Sequence, residues 1–186
     1  MRYHNITKDD MLNGSGLRVV LWVAGCQHHC PYCQNPITHD PNGGIPFDEA
    51  AKQEIFAELE KPYVSGITFS GGDPLYPGHV NEIGELIAEI NARFPHKTKW
   101  LYTGYTYEQI SGLPFIGMLD VICDGRFEID KFDPKLHWVG SSNQRVIDVQ
   151  ESLKREEVVL YSNEEEVWEE DLKSQKDLKT SVLIYQ

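Results

Sequence analysis

The stretch that most constrains this chain is Cys26-Gln27-His28-His29-Cys30-Pro31-Tyr32-Cys33. Three cysteines in a C-x3-C-x2-C pattern make a chemical demand that packing alone does not explain. Three thiolates are one short of the four that close a structural zinc site. They are also one short of the four that complete an ordinary iron–sulfur cluster. If they hold a cubane [4Fe–4S] cluster, one iron lacks a protein ligand and is open to a small molecule. The competing reading is zinc, with His28, His29 or His39 as fourth ligand. A disulfide framework fits poorly, because the remaining cysteine, Cys123, lies far along the chain.

Bulk properties narrow the class. A length of 186 residues suits one domain with a core of its own. The formal charge of −12 argues against unaided binding to nucleic acid, which needs a basic stripe to displace counterions. It argues equally against docking on an anionic membrane, and it would not repel a cationic cofactor. No hydrophobic leader opens the chain and no apolar run is long enough to span a bilayer. A reducing cytoplasm is the expected compartment.

Residues 1–16 are polar and end in the turn Asn13-Gly14-Ser15-Gly16. Residues 17–23 form an apolar run that predicts a buried strand, leading straight into Ala24-Gly25-Cys26. Ligand sites of α/β sheets lie at this carboxyl end of the strands. Asp48 is a candidate N-cap for a helix to about residue 60, with Ala51, Ile55 and Leu59 on one face. Residues 66–69 predict a strand followed by Ser70-Gly71-Gly72-Asp73-Pro74. A helix is predicted over 79–93, from Val80, Ile83, Ile87 and Ile90. Strands are predicted over 99–102 and 119–123, with a short helix at 107–110 between them. Shorter strand candidates are 136–139 and 145–149. Strands alternating with helices imply βαβ units and a mostly parallel sheet. Four or five such units are too few for a closed barrel of about 250 residues. The expected fold is therefore α/β, a partial open (β/α) barrel with a lateral opening.

The pattern changes after residue 150, giving an expected domain over 1–150 and an acidic extension over 151–186. That extension carries ten acidic and five basic residues. It holds candidate strands at 158–161 and 182–185, with a candidate helix over 163–178 between them. A solvated appendage is the more ordinary reading of such a charge run.

Other residue groups bear on chemistry. Gly71 and Gly72 allow close backbone approach and positive φ, and Asp73 can accept a hydrogen bond from a ligand ammonium. Alone, such a turn is weak evidence, because caps and hairpins use it constantly. Thr103-Gly104-Tyr105 and Cys123-Asp124-Gly125-Arg126 each end a predicted strand and would face the side of the sheet that carries the cysteine loop. Asp124 and Arg126 are candidates for contact with a ligand, or Asp124 for a cation; an ordinary turn with a surface ion pair explains them equally well. Cys123 reads as a small buried residue.

The cysteine spacing resembles the signature of the radical S-adenosylmethionine (SAM) superfamily. Several segments are similar to the activating proteins of anaerobic ribonucleoside-triphosphate reductase. They are residues 13–18, the cysteine loop, Phe69-Ser70-Gly71-Gly72-Asp73-Pro74-Leu75, Trp100-Leu101-Tyr102-Thr103-Gly104-Tyr105, Asp124-Gly125-Arg126-Phe127 and Gly140-Ser141-Ser142-Asn143-Gln144-Arg145-Val146. The similarity spans roughly residues 1–150.

The resemblance implies a [4Fe–4S] cluster on Cys26, Cys30 and Cys33, with SAM on the open iron. It implies that Tyr32, Cys33 and Gln34 lie beside the adenine and that Gly71, Gly72 and Asp73 meet the methionine amino group. Superfamily members often have Glu where this chain has Asp73. Thr103 and Asp124 complete the expected cofactor site. The implied activity is a 5′-deoxyadenosyl radical that removes a Cα hydrogen from a glycine in the reductase's large subunit, leaving a stored glycyl radical. The cluster's electron would come from an external donor of the flavodoxin or thiol type. Alternatives are an activase for another glycyl-radical enzyme such as pyruvate formate-lyase, a radical SAM enzyme for a small molecule, and a non-catalytic zinc-binding interaction module.

Overall fold

The computed structural model describes residues 1–162. The extension beyond them, with its candidate helix and last strand, lies outside the described residues. The frame is eight strands in one open sheet: β1 (Arg2–Asp10), β2 (Arg18–Val23), β3 (Ile45–Pro46), β4 (Gly66–Gly71), β5 (Thr98–Tyr102), β6 (Val121–Asp124), β7 (Arg145–Asp148) and β8 (Val159–Leu160). Their order across the sheet is β3-β1-β2-β4-β5-β6-β7-β8.

The expectation of a mostly parallel sheet needs correction. Pairings β2–β4, β4–β5 and β5–β6 are parallel, whereas β1–β2, β1–β3, β6–β7 and β7–β8 are antiparallel. Parallel neighbours need a crossover, and helices supply it only in the centre. Those helices are α1 (Glu49–Leu59), α2 (Val80–Arg93) and α3 (Tyr107–Ile110); α4 (Val149–Arg155) follows β7.

The central parallel strands β2, β4, β5 and β6 succeed one another in chain order without reversal. Right-handed crossovers then place every helix on one face. Accordingly Val19, Leu21, Val23, Ile67, Phe69, Leu101 and Ile122 share one core with Ile55 and Leu59 of α1, Ile83 and Ile87 of α2, and Ile110 of α3. The other face carries Trp100, Val121 and Cys123, with Trp138 and Tyr161 packed on them. Asp48 caps α1 as the sequence predicts, accepting from the Ala51 N–H at 2.9 Å.

Arg18 stands on this second face, wholly buried, with no carboxylate among the described residues paired to it. Its five N–H groups go to Thr68 Oγ1 (2.8 Å), the Ser15 and Ile67 carbonyls (3.0 and 2.7 Å), and Thr98 Oγ1 and O (2.9 and 3.0 Å). Every donor is satisfied, and the guanidinium stacks 5.3 Å from the Trp100 ring. Burial lowers its pKa to about 10, so it stays charged at neutral pH. It bolts the amino ends of β2, β4 and β5 together, far from the cysteine loop.

Two further expectations differ. The polar residues 2–10 form a strand. A register shift between Tyr3 and Asn5 sets Tyr3 opposite Val23 and Ile6 opposite Leu21, so both reach the helix-side core from positions three apart. Residues 136–139 form no strand. Trp138 adopts φ 61° there and packs edge-on to Trp100, 4.9 Å between centroids.

Candidate functional site

Four parallel strands deliver four loops to one end of the sheet. β2 runs into Gly25-Cys26, β4 into Gly72-Asp73, β5 into Thr103-Gly104 and β6 into Gly125-Arg126. β7 is antiparallel, so its leading segment Gly140-Gln144 arrives at the same end. These segments enclose a cleft of about 750 Å³, its open mouth included. Its walls carry Cys26, Cys30, Cys33 and Gln34 from the cysteine loop, Gly71, Gly72 and Asp73 from the glycine turn, and Thr103 from β5. Seven residues taken from separate parts of the sequence as cofactor or cluster contacts thus meet around one cavity, together with Gln34.

All three loop cysteines are free thiols and partly exposed. Burial pushes the Cys26 thiol up, while the backbone N–H groups of His28 and His29 pull it back. The Asn35 N–H donates to Cys33 Sγ at 3.4 Å. Among the described residues no three His, Cys, Asp or Glu side chains gather tightly enough to hold a single metal ion. The loop does present three soft thiol donors to one cavity, the donor set of an iron–sulfur cluster with one iron uncovered. His29 and Tyr32 hold left-handed backbone (φ 46° and 59°), which bends the loop back between successive cysteines. That bend turns Tyr32 outward. It is 79% exposed and does not line the cleft.

The glycine turn is pressed into the base of the cysteine loop. The Gly72 N–H donates to the Val23 carbonyl (2.9 Å) and the Asp73 N–H to the Gly25 carbonyl (2.8 Å). A Cβ on Gly72 would lie 2.3 Å from Gly25 O and 2.7 Å from Thr38 O. Protein backbone alone therefore requires glycine at position 72. Gly71 has φ 109° and is also crowded by backbone, with Val23 N at 2.5 Å from the place of a Cβ.

Asp73 is fully buried and accepts from four donors. Thr103 Oγ1 lies 3.0 Å from both carboxylate oxygens, the Gly104 N–H reaches Oδ2 at 3.0 Å, and the Leu75 N–H reaches Oδ1 at 2.8 Å. His28 Nε2–H donates to Oδ2 at 2.7 Å. His79 Nε2–H caps the Asp73 carbonyl at 3.0 Å, and burial depresses the His79 pKa. The Asp73 side chain is thus committed to the protein, and its hold on the cleft runs through Thr103 and His28.

Asp124 does not reach the cleft at all. Strand side chains alternate, so Cys123 faces the cavity and Asp124 the helix side. There Asp124 accepts from the Tyr107 N–H (2.8 Å) and from Arg145 Nε and Nη2 (3.0 and 2.5 Å). Arg145 also forks onto Glu108 at 3.0 and 2.9 Å. That pairing pulls the Glu108 carboxyl down to about 2. Asp124 thus pairs with Arg145 rather than with the neighbouring Arg126, and this half-buried pair joins β6, α3 and β7. Arg126 does line the cleft, and its Nη2 donates to the His28 carbonyl at 2.5 Å.

Residues not singled out from their own chemistry also form the walls: Tyr102, Phe127, Trp138 and Gln144. Gln144 Oε1 accepts from the Gly140 and Ser141 N–H groups (3.0 and 3.1 Å), and its Nε2 donates to the Gly125 carbonyl (3.0 Å). The Gly-Ser-Ser-Asn-Gln segment thereby closes over the end of β6. Only its resemblance to a family segment pointed to it. Burial pushes the Cys123 thiol up to about 12 at the cleft floor, so it stays protonated.

Residues 12–147 match a family model described as a 4Fe-4S single cluster domain. The chain is 41% identical over 171 residues to the anaerobic ribonucleoside-triphosphate reductase-activating protein of Enterobacteria phage T4, covering 92% of this chain and all of that protein. It is 41% identical over 150 residues to the protein of the same name from Salmonella typhi, and 40% to that of Escherichia coli K12. Each match covers 78% of this chain and 97% of the relative.

Proposed function

The chain belongs to the anaerobic ribonucleoside-triphosphate reductase-activating protein family, and on that basis we propose that it is a radical SAM activase which generates a glycyl radical on the reductase's large subunit. The observation that carries this reading is the convergence of three free thiols, a glycine turn and four parallel strand ends on one cleft. When bound, the cluster would supply the one electron that splits SAM into methionine and a 5′-deoxyadenosyl radical able to take one Cα hydrogen from the target glycine.

The chain's own residues do the rest. Cys26, Cys30 and Cys33 hold the cluster. Gly71, Gly72, Thr103 and Gln34 form the walls against which SAM is oriented, with Asp73 locking Thr103 in place. Arg126, the charged group on the β6 side of the cleft, suits the SAM carboxylate. The singly wound centre of the sheet, with the described helices on one face, supports the reading of a partial (β/α) barrel whose other face would hold the cofactor. An open mouth suits a protein loop as substrate, and an external flavodoxin-type donor would supply the electron. Among the described residues no helix is long and apolar enough to cross a membrane.

Anaerobic reconstitution with iron and sulfide, followed by EPR with and without SAM, tests the reading. A [4Fe–4S]⁺ signal that SAM shifts, and a glycyl-radical doublet on adding the reductase subunit, are expected. Bound zinc without inorganic sulfide would overturn it in favour of an interaction module. A doublet on pyruvate formate-lyase and none on the reductase would assign a different partner.

A further inference from the structure

We propose that His28 is the positioning residue of the cysteine loop: its ring and carbonyl clamp the midpoint of the Cys26–Cys30 span to the ends of β4, β5 and β6. The inference rests on the reading of that loop as a cluster site. Its four supports are independent of one another. The His28 Nε2–H donates to Asp73 Oδ2 at 2.7 Å, where the His28 side chain is 11% exposed and that of Asp73 1%. Gly104 lies flat against the ring, and a Cβ there would come within 2.5 Å of it. Tyr105 packs edge-on at 4.6 Å between centroids. Arg126 Nη2 holds the His28 carbonyl at 2.5 Å.

The position explains the effect. His28 is two residues from Cys26 and two from Cys30, so fixing it fixes the direction in which both thiols project. The neighbouring His29 sits in left-handed space, a conformation that the surroundings must hold in place. A buried carboxylate is acceptor-only when ionised, so it demands the imidazole N–H, and the imidazole in turn holds the loop down. The same bond occupies Nε2 and leaves only Nδ1 open to a metal. Gln27, next to it, reaches only the exposed Tyr105 hydroxyl. Asp73 therefore governs the cysteines through His28 without touching them.

The first readout needs no cofactor. In the metal-free chain, iodoacetamide modification of each cysteine is timed and located by peptide mapping. His28→Phe keeps the ring volume and loses the N–H; His28→Gln keeps an N–H donor at similar reach. We expect His28→Phe to speed modification of Cys26 and Cys30 about tenfold, which is about 1.4 kcal/mol, close to the lower end of the range for one charge-assisted hydrogen bond. Cys123, buried at the cleft floor, should keep its slow rate as the control for global opening. His28→Gln should stay within about twofold of the unaltered chain. Unchanged Cys26 and Cys30 rates in His28→Phe would overturn the proposal. So would His28→Gln behaving like His28→Phe, because ring packing alone would then hold the loop. If His28→Phe also exposes Cys123, His28→Asn, too short to reach Asp73, replaces it and must show the same tenfold change.

After iron and sulfide loading, His28→Gln should hold as much iron as the unaltered chain and show a similar KM for SAM. His28→Phe or His28→Asn should raise KM more than it lowers kcat. Iron lost in His28→Gln would make His28 a ligand, against the proposal. Failure of SAM to bind in the unaltered chain would sink the radical reading and leave the thiol rates to decide on His28 independently.

Discussion

Asp124→Asn separates a ligand contact from a structural ion pair. Asp124 is fully buried and meets Arg145 through two bonds and the Tyr107 N–H through a third. The isosteric amide can still accept from Tyr107, but it removes the charge that Arg145 was built to meet. Breaking a buried pair by deleting one partner costs about 3–5 kcal/mol. That figure is an upper bound here, because the Arg145 side chain is 32% exposed and keeps Glu108. A loss of about 2 kcal/mol follows, or about 4–8 °C in Tm for a chain of this size. Arg145→Met should cost more, about 3–4 kcal/mol, because it strands the buried carboxylate with one backbone donor. Thermal unfolding followed by circular dichroism measures both. Titration of SAM against the reconstituted protein should give an unchanged dissociation constant for Asp124→Asn. A Tm within about 1 °C of the unaltered protein, combined with lost SAM affinity, would refute the placement of Asp124 on the helix face.

Changing Cys26, Cys30 or Cys33 to Ala should each lower bound iron and abolish SAM cleavage, whereas Cys123→Ala should keep the cluster; iron analysis and EPR decide. Gly72→Val should destabilise the fold by about 3 kcal/mol or more, because its side chain would strike the Gly25 and Thr38 carbonyls. A normal Tm with weakened SAM binding would return that glycine to the ligand. Stability should fall as pH drops below about 6.5, since unfolded His79 takes a proton that the buried folded ring resists. A second loss should follow from about 4.5 down to about 2, as unfolded Glu108 protonates while Arg145 keeps the folded carboxylate ionised. Urea melts across pH would show both, and a profile flat between pH 7 and 5 would refute the burial of His79.

Much of the centre of this protein is legible in one dimension. The apolar runs at β2, β4 and β5 are buried on both faces, so they read as unbroken hydrophobic segments, and their glycine-rich exits mark where the chain must turn. The α2 stripe and the Asp48 cap are equally local signals. The edges are not legible in the same way. In β1 a bulge sets Tyr3 and Ile6 on one face at a spacing that breaks the period of two, so no alternation announces a strand. Around 136–139, apolar residues suggest a ladder, but Trp138 finds its partners in Trp100 and Tyr161 rings rather than in backbone hydrogen bonds.

The site divides along the same line. The cysteine spacing, the glycine pair and the family likeness are properties of the chain alone, because they depend on residues close together in sequence. Which side chains face the cleft depends on parity along each strand and on contacts between segments far apart. Parity sends Cys123 inward and Asp124 to Arg145, 21 residues away. Left-handed backbone at Tyr32 turns an expected adenine contact outward. Burial gives the Asp73 carboxylate to Thr103, Gly104, Leu75 and His28, where the sequence suggested a free acceptor for a ligand. The sequence determined the chemistry available at this site. The tertiary structure decided who holds whom, because a buried charge must find its partners wherever the fold places them.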